Sequence, residues 1–241
     1  MVGTDRATLI AHSATPVRDD QGVTHCHFAS RRSGGKLVIT VLLLDLDGVL
    51  RVWDPQLNRS VETTYGLPEG ALTAAAAASD RLDLALTGAM DDRSWRDSLA
   101  EDIVRAHGEE CRDAVEAWMM PAGSVDTDVL EVVRRARSSM RVMVLTNATT
   151  RLADDLDVLG LTDEVDGAVS SADLGLAKPD PDVFSRMALR HRLMFSEIAY
   201  VDPSATNIAV AEILGIRSHH YADAEGLGEF VDGLVQPATR S

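Results

Sequence analysis

The segment Leu37-Val38-Ile39-Thr40-Val41-Leu42-Leu43-Leu44 runs directly into Asp45-Leu46-Asp47-Gly48. The first eight residues are β-branched and Leu-rich, with no in–out alternation. That pattern predicts a strand covered on both faces, as in a parallel sheet. The run is too short to span a bilayer. Its polar tail therefore falls at the carboxyl end of a buried strand, where open parallel sheets bind their ligands.

The rest of the chain repeats the strand-then-helix theme with one long interruption. Residues 58–124 predict helix throughout, with a strong helix former at Ala71–Ala78, a capped start at Met90–Trp95 and a last helix ending before Pro121. Beyond it, helix is expected at Thr127–Ser138, Leu152–Leu159, Pro181–Arg190 and Ala205–Leu214. Strands are expected at Arg141–Thr146, Gly167–Ser170, Ile198–Asp202 and Ile216–His220. Gly160 and Gly215 sit where helices should stop, and Pro181 where one should begin. Alternation at this spacing implies right-handed βαβ crossovers. The expected fold is α/β: a Rossmann-like parallel-sheet core (37–57 and 125–241), a small helical cap (58–124) and an N-terminal extension (1–36). A length of 241 residues with 45% hydrophobic content suits one such core plus an insert.

The formal net charge of −15 repels nucleic acid and anionic membrane, so neither is expected as a partner. It also repels a phosphorylated substrate, so a phosphate site here needs local positive charge from a lysine, a metal ion or a helix N-terminus. The two cysteines, Cys26 and Cys111, form no readable disulfide framework and are expected to be free thiols of a reducing cytosol. Met1–Ala11 lacks a basic start followed by an apolar run, so no signal peptide is expected and the location is expected to be cytoplasmic. His25-Cys26-His27 lacks a second ligand pair at zinc-site spacing and is read as a short exposed segment.

Four strand-end or helix-start segments carry candidate chemistry. Asp45 and Asp47 can divide labour, one attacking phosphorus and the other protonating the leaving oxygen and then activating water. Two like charges this close call for a cation, which points to Mg²⁺. Gly48 allows the sharp turn that follows. Thr146 and Asn147 end a strand with a hydroxyl and fresh backbone N–H groups suited to a phosphate oxygen. Lys178 is stiffened by Pro179 and Pro181 ahead of a helix and can neutralise both phosphate and nucleophile. Asp202 ends another strand, where it can ligate a cation, orient Lys178 or cap the next helix.

The order and spacing of Asp45-Leu46-Asp47-Gly48-Val49, Leu145-Thr146-Asn147, Lys178-Pro179-Asp180-Pro181-x-x-Phe184 and Tyr200-Val201-Asp202-Pro203-Ser204-x-x-Asn207 resemble the four motifs of the haloacid dehalogenase superfamily, over residues 37–220. The resemblance implies a phosphatase-type hydrolase. Asp45 is then the nucleophile and Asp47 the acid/base. Thr146, the Asn147 backbone and Lys178 hold phosphate, and Mg²⁺ is bound by Asp45, Asp47 and Asp202, or by Asp45, the Asp47 carbonyl and water. It also implies a cap that closes over the site and selects the substrate, with Arg51, Trp53 and Asp54 placed to touch it. The expected substrate is a small phosphorylated metabolite, a sugar phosphate being one candidate. A phosphomutase needs the same residues. A non-catalytic binding module on the same fold is the alternative from another class. Dehalogenation is disfavoured, because relatives of that kind generally lack a second aspartate and Asp47 is present. The sequence departs from the pattern at Pro203, where relatives carry a carboxylate that ligates the metal.

Overall fold

A computed structural model describes the backbone of residues 15–18, 24–27, 32–33 and 36–37, and residues 38–77 and 80–235. Most of the expected N-terminal extension, and the side chains of His25, Cys26 and His27, lie outside the described residues. Within it, β1 (Thr15–Arg18) pairs antiparallel with β2 (Thr24–His27), and β3 (Arg32–Ser33) with β4 (Lys36–Leu37). The segment around Arg31–Gly35, read from sequence as loop, thus contributes a strand.

The centre is a five-stranded sheet. Its strands are β5 (Val41–Leu44), β8 (Arg141–Thr146), β9 (Ala168–Ser170), β10 (Ile198–Asp202) and β11 (Arg217–His220), in the order β11-β10-β5-β8-β9. Every pairing within it is parallel. The first strand is shorter than expected. Val38 is 36% exposed, so cover on both faces begins only at Val41. From there Val41 and Leu43 pack into one apolar cluster and Leu42 and Leu44 into another. This is the period-2 geometry of a strand, applied to a sheet with helices on both sides. One side carries α6 (Thr127–Arg137), α7 (Leu152–Val158) and α11 (Ala224–Val235). The other carries α8 (Ser171–Leu174), α9 (Pro181–His191) and α10 (Ala205–Ile213). Strand order reverses beside β5, which leaves a crevice at the carboxyl ends of β5, β8 and β10.

The insert leaves and rejoins the core through a two-stranded ribbon, β6 (Arg51–Val52) against β7 (Ser124–Val125). The sequence showed no sign of this strand pair. Between them lie α1 (Leu57–Thr64), α2 (Ala71–Ala77), α3 (Arg81–Leu86), α4 (Asp92–His107) and α5 (Ala114–Met119); all but α3, which lies against α4, pack around their own apolar cluster, including Leu72, Leu99 and Ile103. The last expected helix divides: Glu109–Cys111 is a 3-10 turn, and α5 starts at Ala114. The insert docks on the loop after β8. Asp92 N–H donates to Thr150 at 3.0 Å, and Thr149 donates to the Asp92 carboxylate at 2.7 Å. At Gly88 (φ +70°) a side chain would meet the Ala172 carbonyl at 2.5 Å, so glycine permits this close approach of insert to core. Among the described residues no helix is long and apolar enough to cross a membrane. Cys111 is buried and free.

Candidate active site

Asp45 sits one residue past β5, its N–H donating to the Val201 carbonyl of β10 at 2.9 Å. Its side chain is nearly buried. Oδ1 accepts from Leu46 N–H at 2.8 Å and lies 3.0 Å from Lys178 Nζ. Burial pushes the Asp45 carboxyl above the ordinary value; Lys178 pulls against this, and the negative charge of Asp202 adds to it. A nucleophile must be ionised, so activity is expected to be present above this raised pKa and lost as pH falls through it. The acid limb of a kcat/KM profile should therefore lie above the ordinary aspartate value of about 3.9. An acid limb at or below that value would remove Asp45 from the rate-determining ionisation.

Lys178 is held at both ends. Its backbone N–H donates to Asn147 Oδ1 and its carbonyl accepts from Asn147 Nδ2, each at 2.8 Å. Its ammonium donates to Asp202 Oδ2 at 2.7 Å and to the Leu145 carbonyl at 3.0 Å. The Asn147 side chain is thus spent on positioning Lys178, which leaves its backbone for a ligand. Thr146 closes β8 next to Leu145 and is buried. The structure therefore gathers Asp45, Thr146, Lys178 and Asp202 at adjoining strand ends.

Asp47 turns elsewhere. Its two oxygens accept from Arg51 Nε and Nη2, both at 2.8 Å, and Oδ1 also accepts from Trp53 Nε1 at 2.6 Å. The third side of the Arg51 guanidinium donates to Asp155 at 2.9 Å. Arg51, expected to touch substrate, is buried and already committed to two carboxylates. Trp53 is 44% exposed beneath that guanidinium, 4.7 Å from ring centre to Cζ.

The expected Mg²⁺ ligands do not form a ligand set. Asp202 has no exposed surface. Its Oδ2 accepts from Lys178, Asn207 Nδ2 at 2.9 Å and the Tyr200 hydroxyl, and its Oδ1 from Ser204 N–H at 2.7 Å. Four donors occupy its oxygens, and the Lys178 ammonium is one of them, so its contacts are those of a lysine partner. Asp47 is occupied by Arg51 and Trp53. Pro203 contributes an apolar ring 3.4 Å from where a Cβ on Gly48 (φ +74°) would stand. Among the described residues no three His, Cys, Asp or Glu side chains come together to hold a metal. A small octahedral cation keeps several waters and takes one or two carboxylates; Asp45 and the Asp47 carbonyl are the groups here that would hold it, with Pro203 in place of a further carboxylate. Pro203→Asp is expected to supply the absent carboxylate and to raise Mg²⁺ affinity by about tenfold or more, read by titration calorimetry. Unchanged affinity would mean that the metal, if bound, uses other ligands.

A cavity of about 350 Å³ lies between insert and core, reaching the site through Arg51 and Asn147. Sequence reasoning placed Tyr200 and Asn207 in the fourth motif without a role, though they fix Asp202, and it missed Asp155, which fixes Arg51. Tyr200 was within reach, because it stands two residues before Asp202 on one strand and so shares its face.

An aspartate at a strand end, paired with a buried lysine beneath a helical insert, points to a class of α/β hydrolase. The family model for haloacid dehalogenase-like hydrolases matches residues 39–215, and the chain belongs to that family. No curated protein matches in sequence. Among solved structures, the chain resembles the HAD family enzyme BT-2542 from Bacteroides thetaiotaomicron (TM-score 0.62, 20% identity, covering 76% of this chain and 93% of that one). A second structure of BT-2542, in complex with magnesium and inorganic phosphate, gives TM-score 0.61 at 20% identity, covering 75% and 93%. The defluorinating L-2-haloacid dehalogenase Rha0230 gives 0.59 at 17% identity, covering 86% and 99%. At these identities the likeness concerns the fold.

Proposed function

We propose that this hydrolase acts on phosphate monoesters through an aspartyl-phosphate on Asp45. The observation that carries this reading is the pair Asp45 and Asp47, two residues apart at the end of β5, with Lys178 Nζ 3.0 Å from the first. Asp45 attacks phosphorus and the bond to the leaving oxygen breaks. Asp47 gives that oxygen its proton. Water then attacks phosphorus, the Asp45–phosphorus bond breaks, and Asp47 takes the proton back. For this, Asp47 exchanges its hydrogen bonds to Arg51 and Trp53 for substrate. Lys178, Thr146 and the Asn147 backbone offset charge on the transferring group, where positioning and electrostatics do most of the work. A cation held by Asp45 and the Asp47 carbonyl would add positive charge beside the transferring group, and no step is assigned to it.

Hydrolysis of a carbon–halogen bond is the second reading. One observation favours it: the cavity beside the site is walled largely by apolar side chains. The likeness to Rha0230 supports the fold this chemistry uses. Assaying one preparation for orthophosphate release from a panel of phosphate esters and for halide release from 2-haloacids separates the two. Orthophosphate release is expected. Halide release without orthophosphate release would replace the first reading with the second.

A further inference from the structure

The chain has three tryptophans. All three, Trp53, Trp95 and Trp118, line the cavity between insert and core. They come from three different parts of the insert: its entry, α4 and α5. Leu82 and Leu86, four apart on α3, line the same space. Many polar groups in these walls are spent on one another, while the buried Trp95 Nε1 has no hydrogen-bond partner among the described residues and is left as one donor for a ligand. Arg51 is held by Asp47 and Asp155. Arg96 lies 2.7 Å from Asp92, and Arg151 lies 2.8 Å from Asp155 and donates to the carbonyls of Met119 and Met120. Trp118 Nε1 donates to Asn58 at 2.7 Å. A polyhydroxylated group entering here would strip water from several hydroxyls and find most partners already engaged, Trp95 Nε1 apart, which is costly. An aromatic group loses little on leaving water and gains stacked and edge contacts with the indoles.

The geometry also says which part of the substrate enters. Trp53 donates to Asp47 at 2.6 Å, so one cavity wall touches the group assigned to protonate the leaving oxygen. The leaving group is therefore the part directed into the cavity. A volume of about 350 Å³ is at the small end for a ligand pocket and accommodates one or two fused rings.

We propose that the cavity recognises an aromatic leaving group, making the substrate an arylalkyl or aryl phosphate monoester. This rests on the phosphatase reading above and replaces the sugar phosphate expected from sequence. Benzyl phosphate is the suitable probe, because its alkoxide leaving group does not flatter the rate as a phenolate would. With the full chain, kcat/KM for benzyl phosphate is expected to exceed that for glucose 6-phosphate by tenfold or more. Binding is read separately on Asp45→Asn. Because every tryptophan borders the cavity, intrinsic emission reports that space. Benzyl alcohol is expected to change the emission of this variant, and inorganic phosphate and glucose 6-phosphate are not. Adding Leu86→Lys should remove the response. Leu82→Ala, a milder change, should weaken it several-fold with the melting temperature as a check on folding. If glucose 6-phosphate is turned over as well as benzyl phosphate and benzyl alcohol leaves the emission unchanged, the proposal is overturned. If no phosphate ester is turned over but benzyl alcohol still binds, the aromatic cavity stands and the phosphatase reading falls.

Discussion

Asp45→Asn is expected to abolish turnover while leaving the melting temperature unchanged or slightly higher. The catalytic half follows from chemistry. An amide is a poor nucleophile, and loss of a nucleophile that acts as a unit with its neighbours reduces kcat by ~10⁴-fold or more. The stability half follows from the local charges. Lys178 faces two carboxylates, Asp45 at 3.0 Å and Asp202 at 2.7 Å. The cluster therefore carries one negative charge in excess in a mostly buried place, and Asp45 is the group whose pKa is raised, burial being the main cause. A raised carboxyl pKa means that the ionised form is disfavoured by folding, so at neutral pH the charge on Asp45 costs stability. Asparagine removes that charge, can still accept from Leu46 N–H, and leaves Lys178 paired with Asp202. A gain of about 1 kcal/mol would appear as roughly 2–4 °C in a chain of this size. Calorimetric melting and single-turnover kinetics on the same sample check both halves. A variant that loses activity and also melts well below the wild type would show that Asp45 holds the strand end together, and its role as nucleophile would then need separate proof.

This trade of stability for reactivity is also what made the site legible in the sequence. A buried apolar strand that ends in two carboxylates breaks the local rule that charges stay in water, and such violations mark functional places. Lys178 was legible for a similar reason, since Pro179 and Pro181, the first and third residues after it, stiffen the chain and fix its direction. What could not be read is how each charge is spent. Arg51 is four residues from Asp47 and 104 from Asp155, and only the folded chain brings both carboxylates to it. The same holds for Asp202, whose donors come from a strand, a loop and two positions on the following turn and helix. The fold was legible where helices and strands carry clean periodicity, as in β8 and β10, whose bounds agree with the expected ones. It was not where glycine dilutes the pattern. Helix α11 contains Gly226, Gly228 and Gly233, yet Leu227 and Val231, four apart, are buried against the sheet. Its apolar stripe is too sparse to stand out from sequence.

Asp202→Asn is expected to be the more damaging change to the fold, and its pH dependence separates a lysine partner from a metal ligand. Asp202 has no exposed surface and receives four donors. An asparagine in its place offers one acceptor oxygen and one amide group. If the oxygen faces Lys178, Tyr200 and Asn207, the amide points at the Ser204 N–H. If it is flipped, the amide faces three donors. Either arrangement leaves buried donors opposed, and breaking such a network costs about 3 kcal/mol or more, roughly 6–12 °C of melting temperature. Burial pushes the Asp202 carboxyl up, but Lys178 and the hydrogen bonds from Tyr200 and Ser204 outweigh it, so its net shift is downward. A carboxyl with a lowered pKa contributes stability that is present above its ordinary value and lost as pH falls through the folded value. The stability gap between wild type and Asp202→Asn should therefore be full at neutral pH and narrow in acid. Removing the Asp202 charge also takes away one of the influences that raise Asp45, so the acid limb of any remaining activity should move to lower pH. A metal ligand would behave differently: added Mg²⁺ would restore activity, and the acid limb would stay in place. Rescue by Mg²⁺ with an unmoved acid limb would return Asp202 to the role of ligand, whereas a lowered acid limb without rescue would leave it as the group that aims Lys178 at Asp45.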